Sequence, residues 1–229
     1  KGIYGSRKKE EIMEDYAGKT VVITGGTSGL GFALAEILGG RGASIVITGR
    51  REEKGAEAVE KLQAEGVSAR YLRQDVSSES DWNNLAFTVK SEFGGVDYLF
   101  NNAGVMLQPN ALMKTSVSDW KWIMDTNFWG SLYGLRVFSG LMFTQPEGGR
   151  IVTTASTAGV SAFSGWAPYS VTKTALVRLV ENYQAEAIKF ELDKVKYNVS
   201  LPGVFESEIA NSTLHRNEEY NNINGNGQE

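Results

Sequence analysis

Apolar positions along the chain alternate between two spacings. Short runs rich in β-branched residues, at 20–24 (TVVIT), 44–48 (SIVIT), 68–73, 96–101 (VDYLFN), 150–155 and 197–201, predict buried strands. Between them the apolar residues recur at helical spacing. Leu30, Leu34, Ile37 and Leu38 form a stripe over 30–39, and Ala56, Val59 and Leu62 form one over 52–65 that stops at Gly66. Further helices are predicted over 79–93, over about 119–143 with Ser118 as N-cap, and from Pro168 to about 192. Strands that alternate with helices predict an α/β fold: a doubly wound parallel sheet of six to seven strands with helices on both faces.

No internal repeat and no linker divides this pattern. A polar lead-in over 1–18, partly helical over 8–16, precedes a single domain over 19–212. After Gly203 the periodicity decays to one short helix, and 213–229, ending in NNINGNGQE, reads as a flexible tail.

Composition narrows the chemistry. The chain has 229 residues and a net charge of −4 with no basic block, so nothing points to nucleic acid. It has no cysteine, which excludes a disulfide framework, a cysteine nucleophile and thiolate metal ligation, and which fits a cytoplasmic location. A single histidine, His215, argues against a Ser-His-Asp triad and a multi-histidine metal site, so no metal is expected. His215 itself reads as an exposed loop residue rather than a catalyst. No run approaches the ~20 apolar residues of a membrane span, and the first twenty residues carry mixed charge without an apolar signal core.

Residues 24–31 (TGGTSGLG) join the first strand to the first helix. Glycines there let the backbone turn sharply and approach a pyrophosphate, while the helix start offers unpaired N–H groups and a positive dipole end. Gly25, Thr27, Ser28, Gly29, Leu30 and Gly31 are therefore candidate contacts to a dinucleotide; a structural turn is the alternative. At the end of the second strand, where an NAD(H) site commonly places a carboxylate for the ribose 2′-hydroxyl, stand Gly49, Arg50 and Arg51. A guanidinium can grip a 2′-phosphate with two hydrogen bonds, so NADP(H) is favoured over NAD(H). A solvated arginine pair at a helix start is the competing reading. Asp75, just after the third strand, is placed to accept from an adenine amino group, or else caps a turn.

The stretch 154–176 holds Ser156, Tyr169 and Lys173. Tyr169 and Lys173 are four apart and share a helix face, and Ser156 closes the fifth strand. A hydroxyl, a phenol and an ammonium can meet there to move a proton to or from an alcohol oxygen. A free tyrosine has a pKa near ~10, and a neighbouring ammonium favours its phenolate.

TGGTSGLG at 24–31, Asp75-Val76, NNAG at 101–104, Asn127 in DTNFWG, Ser156, Tyr169-S-V-T-Lys173 and Pro202-Gly203 occur in one order and spacing. In these motifs the chain, over about 18–212, resembles the short single-domain branch of the short-chain dehydrogenase/reductases. The resemblance implies a Rossmann-like fold and hydride exchange between a nicotinamide cofactor and a carbonyl or secondary alcohol. It implies Tyr169 as general acid/base, Lys173 on the nicotinamide ribose and lowering the tyrosine's pKa, and Ser156 on the substrate oxygen. It further implies that Asn127 holds, through its helix backbone, a water linking Lys173 to solvent. Asn102, Ala103 and Gly104 would line the cofactor, as would Val76, and Pro202 and Gly203 through Ser207 would pack beside the nicotinamide. Homodimers or homotetramers built on the two long helices are also implied.

Met106, Phe163, Trp166 and Phe205 flank the converging segments and are expected to wall an apolar or aromatic substrate pocket, although loop packing accounts for them equally. The resembling proteins continue with a lid, a helix and a seventh strand, for which this sequence has no convincing counterpart. The expected activity is an NADP-dependent oxidoreductase of the EC 1.1.1 type. An NAD(H)-dependent alcohol dehydrogenase of the same fold and a catalytically silent nucleotide-binding regulator are the alternatives.

Overall fold

Each β-branched run becomes a strand in the computed structural model, which describes residues 16–203 and 208–220. The strands are β1 (Thr20–Thr24), β2 (Ser44–Gly49), β3 (Ala69–Arg73), β4 (Tyr98–Asn101), β5 (Gly149–Thr154) and β6 (Val195–Ser200). The helices are α1 (Gly29–Gly39), α2 (Glu52–Ala64), α3 (Glu79–Phe93), α4 (Val117–Ile123), α5 (Gly130–Phe143) and α6 (Ala167–Lys189). All five pairings are parallel, in the order β3-β2-β1-β4-β5-β6. Among the described residues the sheet has six strands. Chain direction reverses its walk between β1 and β4, and the crevice at their carboxyl ends is where such sheets bind ligands.

The strand alternation distributes the core over both faces. Val21 and Ile23 of β1, with Ile45 and Ile47 of β2, pack under α1 and α2 against Ala35, Ala58 and Leu62. Val22, Val46, Leu99 and Ile151 face the other way, against Trp82 of α3, Leu135 and Phe138 of α5 and Val180 of α6. No described helix is long and apolar enough to cross a membrane.

Two expectations about the long helix are corrected. Its N-cap is Ser116, not Ser118: the Ser116 hydroxyl accepts from the Asp119 amide at 3.1 Å while the Asp119 carboxylate accepts from the Ser116 amide at 2.9 Å. The helix is also not continuous, because a π-helical turn over Met124–Trp129 separates α4 from α5. That turn carries Asn127, whose fully buried side chain is bonded to Val105 of a different segment.

Beyond Gly203 the described chain forms two 3₁₀ segments, Glu208–His215 and Glu218–Tyr220. Residues 213–220, placed by the sequence in a tail, are tied to α4. Arg216 pairs with Asp119, donates to Ser118 Oγ at 2.9 Å and to the Tyr220 carbonyl at 3.1 Å, and lies 5.2 Å from the Trp122 ring centre. Tyr220 donates to Asp125 at 2.7 Å. The lead-in through residue 15, Phe205, Ser207 and 221–229 lie outside the described residues.

Candidate active site

The glycine loop is built by close backbone approach. Gly25 and Gly29 adopt φ of +64° and +54°, a region that strains L side chains. A Cβ on Gly31 would collide with the Gly25 carbonyl and come within 2.8 Å of Asn102 Nδ2, and one on Gly25 would come within 3.0 Å of Ala103 Cα. The Thr24 hydroxyl accepts from the amides of Asn102 (2.9 Å) and Ala103 (3.0 Å), and Asn102 Nδ2 donates to the Thr24 carbonyl at 3.0 Å. The ends of β1 and β4 are thereby stitched together. Thr154 at the end of β5 adds a third strand by donating to Asn102 Oδ1 at 3.2 Å. Ser28 caps α1 in extended backbone without a side-chain cap bond among the described residues, and Ser28 to Gly31 line the cleft. The first amides of α1 are thus available to an anion. This cradle, which side chains would fill, fits the pyrophosphate of a dinucleotide.

At the far end of the cleft stand Arg50, Arg51, Asp75 and Val76. Asp75 Oδ1 accepts from the Ser77 amide at 3.0 Å and hydroxyl at 2.6 Å, so this carboxylate caps a turn while lining the cleft. Its Oδ2 accepts from Asn217 Nδ2 at 3.3 Å. Burial opposes its ionisation, but the Ser77 bonds, the Arg50 charge and Asn217 outweigh it and hold the carboxyl below its ordinary range. Arg50 Nη2 donates to the His215 carbonyl at 2.6 Å, and Arg51 Nη1 lies 2.8 Å from His215 Nε2.

Ser156, Tyr169 and Lys173 meet on one wall of the same cleft. Ser156 follows β5 and caps the short turn Thr157–Gly159, its hydroxyl accepting from the Ala158 amide at 3.1 Å. Tyr169 and Lys173 lie one turn apart on the buried face of α6, with Lys173 Nζ 5.5 Å from the Tyr169 ring centre. Lys173 is 2% exposed and donates to the Thr154 carbonyl at 2.8 Å; burial lowers its pKa to about 8. For Tyr169 burial is the largest influence and raises the pKa, while a hydrogen bond with Ser156 works against it.

Asn127 stands behind this wall. Its Oδ1 accepts from the Val105 amide at 2.8 Å, and its Nδ2 donates to the Val105 carbonyl at 2.9 Å and to Thr172 Oγ1 at 3.2 Å. Thr172 in turn donates to the Tyr169 carbonyl at 2.8 Å. A Cβ on Gly104 would sit 3.3 Å from Asn127 Oδ1 and 3.4 Å from Lys173 Nζ, so that glycine admits both side chains to one spot. Thr172 was not singled out in the sequence; its position inside the Tyr169–Lys173 turn is the only signal there.

The whole cleft has a volume of about 610 Å³. Met106, Phe163 and Trp166 line it beside Tyr169 and Ser156, with the Phe163 and Trp166 ring centres 5.6 Å apart and their planes tilted by 31°. Pro202 and Gly203 line it too. Val105, Ala158, Ile209, Ala210 and Leu214 join them and were not anticipated. Val105 directly follows the NNAG motif and Ala158 lies two residues after Ser156, which is a usable signal, whereas 209–214 carries no periodicity that marks it. Among the described residues no group of His, Cys, Asp and Glu could hold a metal ion.

The family description "short chain dehydrogenase" matches residues 19–218. An A-factor type gamma-butyrolactone 1'-reductase (1S-forming) of Streptomyces virginiae is 37% identical over 194 residues, covering 83% of this chain and 73% of that protein. A crystal structure of a short chain dehydrogenase/reductase from Burkholderia phymatum in complex with NAD superposes with a TM-score of 0.87 at 33% identity, covering 94% of this chain and 76% of that one. A short chain dehydrogenase from Burkholderia cenocepacia in complex with NADP gives 0.77 at 25% identity, over 86% and 78% of the two chains.

Proposed function

The chain belongs to the short chain dehydrogenases, and on that premise we propose that it is an NADP(H)-dependent oxidoreductase interconverting a carbonyl compound and a secondary alcohol. The observation that carries the proposal is the meeting of Ser156, Tyr169 and Lys173 on the wall of a cleft whose floor is the glycine cradle. Bound in that cleft, the nicotinamide supplies or accepts the hydride.

The protein's own part is proton chemistry and position. In the reductive direction Tyr169, whose pKa burial raises, gives its proton to the substrate oxygen. Ser156 donates a hydrogen bond to the same oxygen and orients it. The Lys173 ammonium stabilises the phenolate left behind, from a site where burial strengthens every charge interaction. Asn127 fixes the Val105 backbone and, through Thr172, the start of the Tyr169–Lys173 turn. The adjoining rings of Phe163 and Trp166, with Met106, support an apolar or aromatic substrate. Exposed Val117, Trp129 and Val171 on and between α4 and α6 support a homodimer or homotetramer. The cysteine-free composition supports a cytoplasmic location.

Arg50 and Arg51 support NADP(H), whereas the NAD complex of the Burkholderia phymatum relative favours NAD(H). Titration of wild type and Arg50→Ala with NADPH and NADH separates the two. NADP(H) use requires NADPH to bind at least about tenfold more tightly than NADH in wild type, with most of that preference lost in Arg50→Ala. Equal wild-type affinities would leave NAD(H). With the preferred cofactor and a panel of bulky and small ketones, Tyr169→Phe is expected to lower kcat by ~10³ or more while cofactor binding persists. A near-normal rate would remove Tyr169 as the acid.

A further inference from the structure

We propose that the segment 208–220 is part of the cofactor site, and that His215 on it positions Arg50 and Arg51 as a fork for a phosphomonoester on the adenosine ribose. The inference rests on the NADP(H) reading above and adds a residue and a segment to it.

Two guanidiniums in sequence on an exposed helix start would ordinarily sample many rotamers and repel one another. Here both are held by one residue. Arg50 Nη2 donates to the His215 carbonyl at 2.6 Å, and Arg51 Nη1 lies 2.8 Å from His215 Nε2. Each contact occupies one terminal nitrogen of a side chain that carries five N–H donors, leaving other donors of both forks to a ligand. Arg50, Arg51 and His215 all line the cleft, together with Gly49 and Lys54. The segment touches a third residue of the adenosine end, since Asn217 donates to Asp75 at 3.3 Å.

His215 can perform this role because the segment is moored. Arg216, only 14% exposed at its side chain, ion-pairs with Asp119 and donates to Ser118, and its guanidinium covers the Trp122 ring. Gln108 donates to the Ala210 carbonyl at the other end of the segment. The mooring sits on α4, immediately before the turn that carries Asn127, so one short strap spans from the catalytic wall to the arginine pair. By linkage, whatever the strap adds to phosphate affinity, the phosphate adds to strap stability.

Adenosine 2′,5′-bisphosphate and 5′-AMP probe the site without the nicotinamide, and NADPH and NADH probe it with the whole cofactor. Dissociation constants are measured by calorimetry for wild type, His215→Ala and Arg216→Ala. His215→Ala is expected to weaken the bisphosphate and NADPH about 5- to 10-fold, and Arg216→Ala at least as much, with 5′-AMP and NADH within about twofold of wild type. Wild type that prefers NADPH while both variants keep the full preference overturns the strap's role and leaves the NADP(H) reading standing. Wild type that binds both cofactors equally overturns both. Equal loss for phosphorylated and unphosphorylated probes also overturns it, because the strap would then support the cleft generally.

Discussion

Lys173 bears the largest electrostatic cost in the site. Its ammonium is almost sealed from water, with the Thr154 carbonyl as its hydrogen-bond partner, and its pKa falls from 10.5 to about 8. A base whose folded pKa lies below its unfolded one binds fewer protons in the native state, so its contribution to stability grows with pH between those values. Between pH 8 and 10.5 the unfolding free energy of wild type relative to Lys173→Met should rise by ~3 kcal/mol, read from urea denaturation at a series of pH values. A flat difference would mean that Lys173 is better solvated or better paired than its burial implies. The four-residue spacing of Tyr169 and Lys173 was legible because helix periodicity is local. The bonds from Asn127 to Val105 and Thr172 were not legible, since they join residues 22 and 45 positions apart.

At the level of elements, strand and helix positions followed from β-branched runs and apolar stripes, with boundaries shifted by up to about three residues. The π-turn over Met124–Trp129 escaped because MDTNFW holds no glycine or proline to mark a break in the helix. It arises from tertiary demand: Asn127 must reach the β4 loop while Gly130 lets the helix pass Val76, where a Cβ would come within 3.0 Å. A similar close approach gives a sharp test of packing. A Cβ on Gly134 would lie 2.6 Å from the Trp82 ring and 2.9 Å from Asn101 Nδ2, where α5 crosses α3 and the end of β4. Gly134→Ala should lower stability by about 1–3 kcal/mol in urea denaturation. Nucleotide affinity of the folded fraction should stay unchanged, because Gly134 does not line the cleft.

For the whole molecule, the walk of the sheet places three loops of distant sequence, after β1, β4 and β5, around one crevice. That much follows from an alternating strand–helix order and the handedness of crossovers. The path of 208–220 does not follow from any such rule, because a single half-buried arginine and a handful of polar contacts decide it. Releasing that arginine should free the segment while the sheet stays folded. Arg216→Ala is therefore expected to be cut at Glu218 or Glu219 by a glutamate-specific protease at least about tenfold faster than wild type, with the fragment ending near the cut stable afterwards. Equal cleavage rates would show that the mooring lies elsewhere.

The open sheet has one more consequence. Among the described residues its outermost strands are β3 and β6, each with one row of backbone donors and acceptors unpaired by a neighbouring strand. Such rows are templates for runaway growth, one molecule adding to the next as in a fibril. Here the outward positions carry Arg70 and Arg73 on β3 and Lys196 and Asn198 on β6. Two copies meeting lip to lip would have to strip water from Arg73 and Lys196 and from the Arg70–Glu92 ion pair. The same alternation that guides the chain to a single sheet thus also places charged side chains along its two edges.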